Sequence, residues 1–317
     1  MIDFRYHLVS IVSIFMALAV GIVLGAGPLK GQIGDTLTSE VTQLRQDRTA
    51  LRTELEAARK AGTVHDDFTK DARARLVGAT LTGATVALVV LPNADANDTK
   101  AVVETLKAAG ATVVSQTTIK DSWVPQDDAA KAMQAQLATE QRRMLGLPET
   151  DKANLAPLDE VLANALLAPD GSDVSDAGKA ALDALAQAKL IDAETADLTR
   201  ASTAVLVSAP IEGDVATERD QQASRLALLA SAMDRAGRGA VLADDTGVSG
   251  FAGGASVVRA ARGDAATSRS LSTVDDLSLS LGQVSVVYAV VQQLAGEVGQ
   301  YGLGDGVSNG YPPIPAP

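Results

Sequence analysis

The side chains in this chain that could do chemistry are mostly carboxylates in loops. Asp95 follows the run Ala84–Leu91 by a few residues, after Pro92 and Asn93. Pro210 and Glu212 follow Thr203–Ser208, Asp244 and Asp245 follow Ala240–Ala243, and Asp275 and Asp276 follow Ser270–Val274. Oxygen ligands of this kind suit hard cations such as Mg²⁺ or Ca²⁺. Paired carboxylates can also share acid and base roles without a histidine. Asp is equally an ordinary loop and helix-cap residue, and no spacing singles out a catalytic pair. The remaining inventory is thin. There is no cysteine, and the histidines are His7 and His65, both outside the runs above. This excludes thiolate chemistry, and it excludes a Ser-His-Asp triad or His-ligated zinc from the C-terminal body. The five methionines, Met1, Met16, Met133, Met144 and Met233, are scattered; Met133 and Met144 fit helix faces and are expected in the core. The stretch Gly247–Gly254 matches neither a dinucleotide fingerprint nor a phosphate loop and reads as a surface loop. The inventory therefore points to a protein that is not an enzyme.

The apolar runs imply the elements that position these residues. Ala84–Leu91, Ala111–Ser115, Thr203–Ser208 and Ala240–Ala243 are short and continuous, as strands buried on both faces must be; Ser270–Val274 is a shorter fifth. Between them lie helical patterns. One is capped by Asn97 or Asp98, with Val102, Val103, Leu106 and Ala109 inward and Gly110 as its stop. Others run over about Asp127–Leu145, Pro157–Leu167, Ser175–Leu190, Glu218–Ala236 and Leu279–Glu297. Such alternation predicts an α/β fold, a mostly parallel sheet with helices on both faces. Ligands of such folds bind beyond the carboxyl ends of the strands, where the carboxylates fall.

Ahead of that body, Leu8–Leu29 carries no charge. About 20 apolar residues suffice for a helix to cross a bilayer. The expectation is a single uncleaved anchor, with the body outside the cell membrane. A cleaved signal peptide is the rival, but its apolar region is usually only about 7–15 residues. Leu37, Val41, Leu44, Arg48, Leu51, Leu55 and Ala58 then follow at alternating spacings of four and three. That is a heptad seam with one charged core position, the pattern of a dimerising coiled coil; strand direction is left open. The expected division is 1–30 transmembrane anchor, 31–78 coiled-coil stalk, 79–300 extracytoplasmic α/β domain and 301–317 flexible tail rich in Gly and Pro. A net charge of −12 argues against nucleic acid as a partner, and 3% aromatic residues are too few for the girdles of a membrane β-barrel.

The head Met1-Ile2-Asp3-Phe4-Arg5-Tyr6-His7-Leu8-Val9-Ser10, running into MALAVGIVLGAGPL, resembles the mycobacterial copper transport protein B (MctB) family of actinobacteria. Leu271-Ser272-Thr273-Val274-Asp275-Asp276 and Gly299-Gln300-Tyr301-Gly302 resemble it as well. The resemblance implies an envelope protein linked to copper homeostasis, described as an outer-membrane pore, and it supplies no catalytic motif. One branch of the family, the SteB type, is linked instead to cell separation. It acts with a membrane partner of the SteA type to control peptidoglycan hydrolases. Copper itself is implied only by the family, because no series of soft ligands is visible. The favoured expectation is a non-enzymatic envelope protein that dimerises by its coiled coil and, as the resemblance implies, docks a partner protein in cell separation; a copper export or homeostasis component is the alternative.

Overall fold

A computed structural model describes residues 4–26, 28–148, 156–193, 199–246 and 254–315. The chain divides into two compact units, residues 1–65 and 66–317. All but Gly254 of the glycine-rich segment at 247–254 lies outside the described residues.

The first unit is helical. Helix α1, Phe4–Ala26, contains a stretch from Phe4 to Gly25 that is long and apolar enough to cross a membrane, and none of it is buried. Helix α2, Pro28–Val77, begins in this unit and ends in the next. Gly62 does not interrupt it, because one glycine weakens a helix by only about 1 kcal/mol.

The second unit is built on one seven-stranded sheet. In chain order its elements are β1 (Thr85–Val90), α3 (Ala96–Ala108), β2 (Thr112–Ile119), α4 (Asp128–Met144), α5 (Pro157–Leu166), α6 (Asp176–Gln187) and β3 (Ile191–Ala193). There follow β4 (Thr203–Val207), α7 (Ala216–Ala236), β5 (Ala240–Ala243), α8 (Val257–Gly263), β6 (Ser272–Val274), α9 (Ser280–Leu294) and β7 (Gln300–Tyr301). The spatial order is β3-β2-β1-β4-β5-β6-β7. Every pairing is parallel except β2 with β3. The order reverses between β1 and β4, so the crevice rule for α/β sheets points to the ends of those strands.

Each central strand buries both faces. Val86, Leu88, Val205, Val207 and Val241 pack under α3, α9 and Val77 at the end of α2. Ala87, Val89, Leu206 and Leu242 pack under α4 to α8, with Trp123, Leu162 and Leu182 filling that layer. Continuous apolar runs were the right signature for this burial.

Several details differ from the sequence reading. The second strand runs on to Ile119, through Gln116, Thr117 and Thr118. A polar run hid it, although threonine is β-branched and suits a strand near a sheet edge. The edge strands β3 and β7, three and two residues long, carry no readable pattern. Helix α3 is capped by Asp95, not by Asn97 or Asp98: its Oδ1 accepts from both of those amides, at 2.7 and 3.2 Å. Met133 and Met144 are not core residues; both are over 40% exposed on α4, while Met233 is fully buried. Residues 66–77, expected in the stalk, belong to the second unit. Residues 301–309, expected as a tail, are hydrogen-bonded into the body: Gly302 N–H donates to Asn309 O at 3.2 Å, and Ser308 N–H to Gln300 O at 2.7 Å.

Candidate functional site

Two places deserve description as sites, one in each unit. The first is the seam on α2. Leu37, Leu44 and Leu51 are 60%, 66% and 65% exposed, and Val41, Arg48, Leu55 and Ala58 are exposed with them. A helix keeps such a row of leucines in water only at a cost, because each buried leucine side chain contributes about 1.5–3 kcal/mol. The structure thus places all seven predicted seam residues on one helix. A single copy covers none of them.

The second site is the carboxyl end of the sheet. Alternation along the strands sends successive acids to opposite faces. Asp244 and Asp275 point toward α8. Asp244 is fully buried and accepts from Thr246 Oγ1 and Ser256 Oγ, both at 2.7 Å; even so, burial holds its carboxyl above the usual carboxylate range. Asp275 forms a buried ion pair with Arg262 and accepts from the amides of Leu303 (2.7 Å) and Gly304 (3.0 Å). Arg262 also donates to Thr273 Oγ1 (2.7 Å), Tyr301 O (2.7 Å) and Asp305 O (3.0 Å). Arg262 and Asp275 together hold residues 301–305 against the sheet. Gly302 sits at φ +121°, and a Cβ there would collide with the Asp275 carboxylate.

On the other face the acids are less well matched. Asp245 accepts from the hydroxyl and amide of Ser278. Asp98, in the first turn of α3, is pushed up to about 6 by burial and by the charges of Asp95 and Asp245. Asp276 is fully buried, and neither carboxylate oxygen has a hydrogen-bond partner. Burial, with the charges of Asp275 and Asp245, pushes it up to about 7. Asp66, from the end of α2, accepts from the Ser280 amide at 2.6 Å and so serves the first turn of α9. Arg73, two turns further on, donates to Gln283 Oε1 at 2.6 Å and lies 3.7 Å from Glu104. The Tyr288 hydroxyl donates to Leu76 O at 2.6 Å.

The expected convergence of strand-end carboxylates is therefore partly met. Asp95 and Asp245 act on Asp98, Asp245 and Asp275 act on Asp276, and Asp275 acts on Asp244, while Glu212 is exposed elsewhere. Among the described residues, no three His, Asp or Glu side chains come together to hold a metal ion. Sequence reasoning missed Asp66, Asp98 and Arg262. Asp66 stands 214 positions from Ser280, and nothing local marks that contact.

Glu212 instead lines a groove of about 520 Å³ beyond β2 and β4, together with Lys131, Glu218, Arg219 and Arg225. Both charge signs are present. Its strongest group is already engaged: Arg225 pairs with buried Asp159 at 2.5 and 2.8 Å, and Asp159 also accepts from Trp123 Nε1 at 3.0 Å.

Comparison with known proteins finds relatives that match nearly the whole chain. Copper transporter MctB of Mycobacterium tuberculosis (strain ATCC 25618 / H37Rv) is 29% identical over 320 residues, spanning 96% of this chain and 98% of that protein. Copper transporter MctB of Mycobacterium leprae (strain TN) is 27% identical over 325 residues, spanning 98% of each. Residues 1–312 match the family described as "Copper transport outer membrane protein, MctB". Since the match takes in the apolar helix, the heptad row and the whole sheet together, the chain belongs to the MctB family.

Proposed function

We propose that this protein serves copper homeostasis at the cell envelope, as a membrane-anchored dimer joined along residues 37–58. The observation that carries this reading is the near-full-length similarity to proteins named copper transporters. Helix α1 is the single anchor in the cell membrane, and the body lies on the extracytoplasmic side. The outer membrane, which the family description names, is the alternative location. The exposed leucines at 37, 44 and 51 support the dimer, since a second copy would cover them.

The protein works through protein contacts rather than as a file of copper ligands. Copper(I) takes thiolates and thioethers, and copper(II) takes imidazole. The chain has no cysteine and two histidines, and the methionines among the described residues are dispersed over α1, α4 and α7. A docked partner would then carry the copper chemistry.

The test is the copper content of a deletion strain, complemented by the full chain or by Leu44→Asp with Leu51→Asp. Raised copper in the deletion strain, lowered by the full chain but not by the double variant, is the expected result. Normal copper in the deletion strain would remove the copper role. Rescue by a double variant shown to be monomeric would remove the dimer.

The same shortage of copper ligands favours a second reading. Here the body docks a SteA-type membrane partner in cell separation and acts on peptidoglycan hydrolases through it. A septation defect with normal copper in the deletion strain is the outcome that selects it.

A further inference from the structure

We infer that Asp276 is a proton-binding site that governs the joint between α9 and the last turns of α2: protonated, it holds the 276–282 turn closed, and ionised, it loosens that turn. The inference stands on the acid cluster alone and does not depend on copper or on the dimer.

The geometry is that of an acid built in without a counterion. Asp276 is 0% exposed, and both its oxygens lack a hydrogen-bond partner. A buried carboxylate in that condition is strongly disfavoured, whereas the neutral acid costs far less. Helix α9 approaches it closely: a Cβ on Gly282 would lie 2.1 Å from Asp276 O and 2.7 Å from Asp276 Oδ1, so glycine lets the first turn of α9 come this near.

Of the charged groups around it, Arg262 alone favours the ionised form, and it does so less than Asp275 and Asp245 oppose it. On its own turn stands Asp275. From the end of β5 comes Asp245, with Asp98 of α3 beyond it. From α8 comes Arg262, which is engaged with Asp275, Thr273 and the carbonyls of Tyr301 and Asp305. From α2 come Asp66, bonded to Ser280, and Arg73, bonded to Gln283 and close to Glu104. Arg262 and Arg73 are engaged with other partners, and the charges of Asp275 and Asp245 oppose a further negative charge at Asp276. A proton is the species that restores neutrality here.

The turn that carries Asp276 also carries the joint. Leu277 N–H donates to Asp244 O and Leu279 N–H to Asp276 O, both at 3.0 Å. Ser278 is held by Asp245, Ser280 N–H by Asp66, and Gln283 Oε1 by Arg73. If the ionised carboxylate moves out to water, these contacts break together. The acceptor at Asp66 and the donor at Arg73 are then released from α9. Protonation at Asp276 is in this way coupled to how firmly residues 66–77 are held.

The experiment is hydrogen exchange on the full chain in detergent micelles between pH 5 and 8.5, corrected for intrinsic rates. It is read in peptides covering 66–77 and 276–283. The closed form binds its proton to about pH 7, and the opened form only near 3.8. Opening should therefore increase nearly tenfold per pH unit at first, roughly fiftyfold from pH 5 to 7, and then level off. Asp276→Asn should abolish the dependence. Asp245→Asn keeps an oxygen for Ser278 but removes one neighbouring charge, so its plateau should begin at lower pH. It also serves if the first variant fails to fold. Wild-type protection that ignores pH, the same slope in Asp276→Asn, or an unmoved plateau in Asp245→Asn would each overturn the inference.

Discussion

At the scale of single residues, the body depends on a few buried charges with unequal fates. Asp275 is fully matched by Arg262 and two amides, whereas Asp276, its neighbour in sequence, is matched by nothing. Removing one member of a buried pair leaves the other stranded, at a cost of about 3–5 kcal/mol. Arg262→Met should therefore lower the free energy of unfolding, read from urea denaturation, by that much, and adding Asp275→Leu should recover part of the loss. Asp276 acts in the opposite sense. Its folded-state value lies near 7 against 3.8 for the free side chain, so the folded state binds the extra proton. The contribution of Asp276 to stability is greatest below about pH 4, falls as pH rises toward 7, and is flat beyond. The upper bound on that loss is about 4 kcal/mol, from roughly 1.4 kcal/mol per unit. Thermal unfolding of Asp276→Asn should then show a higher midpoint than wild type at pH 8 and little difference at pH 4.

At the scale of elements, α2 does two jobs along one helix. Its residues 37–58 present a heptad row, while Asp66, Arg73 and Leu76 engage α9. The row was legible because period 3.5 is written in local order. The engagement with α9 was not, because its partners come from the far end of the chain. Arg48 is the one charged residue in the seam, and a charge at such a position trades stability for register. Arg48→Leu should tighten self-association by about tenfold, or ~1.4 kcal/mol, in sedimentation equilibrium. An unchanged association constant would place Arg48 outside the interface. The sheet shows the same division between local and distant information. Strands β1, β4 and β5 could be read from their apolar runs, β5 residue for residue, and β2 only in its first half. The two edge strands could not, since two or three residues hold no period and exist only because a neighbour pairs with them.

At the scale of the whole molecule, one apolar helix and one open, helix-covered sheet define the protein. Removing residues 1–30 should move the chain from the membrane fraction to the supernatant on ultracentrifugation, because α1 is the one described helix with the length and composition to cross a bilayer. Persistence in the membrane fraction would mean that the body itself binds the membrane or a partner within it. The sequence by itself determined the apolar span, the heptad row, the alternation of buried strands and helices, and the absence of a cysteine or a histidine from the sheet. Each is a matter of composition or of short period, which local physics writes directly into the chain. Only the tertiary structure decided which acids meet. It turned Asp244 and Asp275 toward α8 and left Asp276 facing α9. It brought Asp66 to Ser280 across 214 positions and drew residues 301–305 in behind Arg262. Burial and charge pairing are set by neighbours in space, and no spacing along the chain encodes which neighbours those will be.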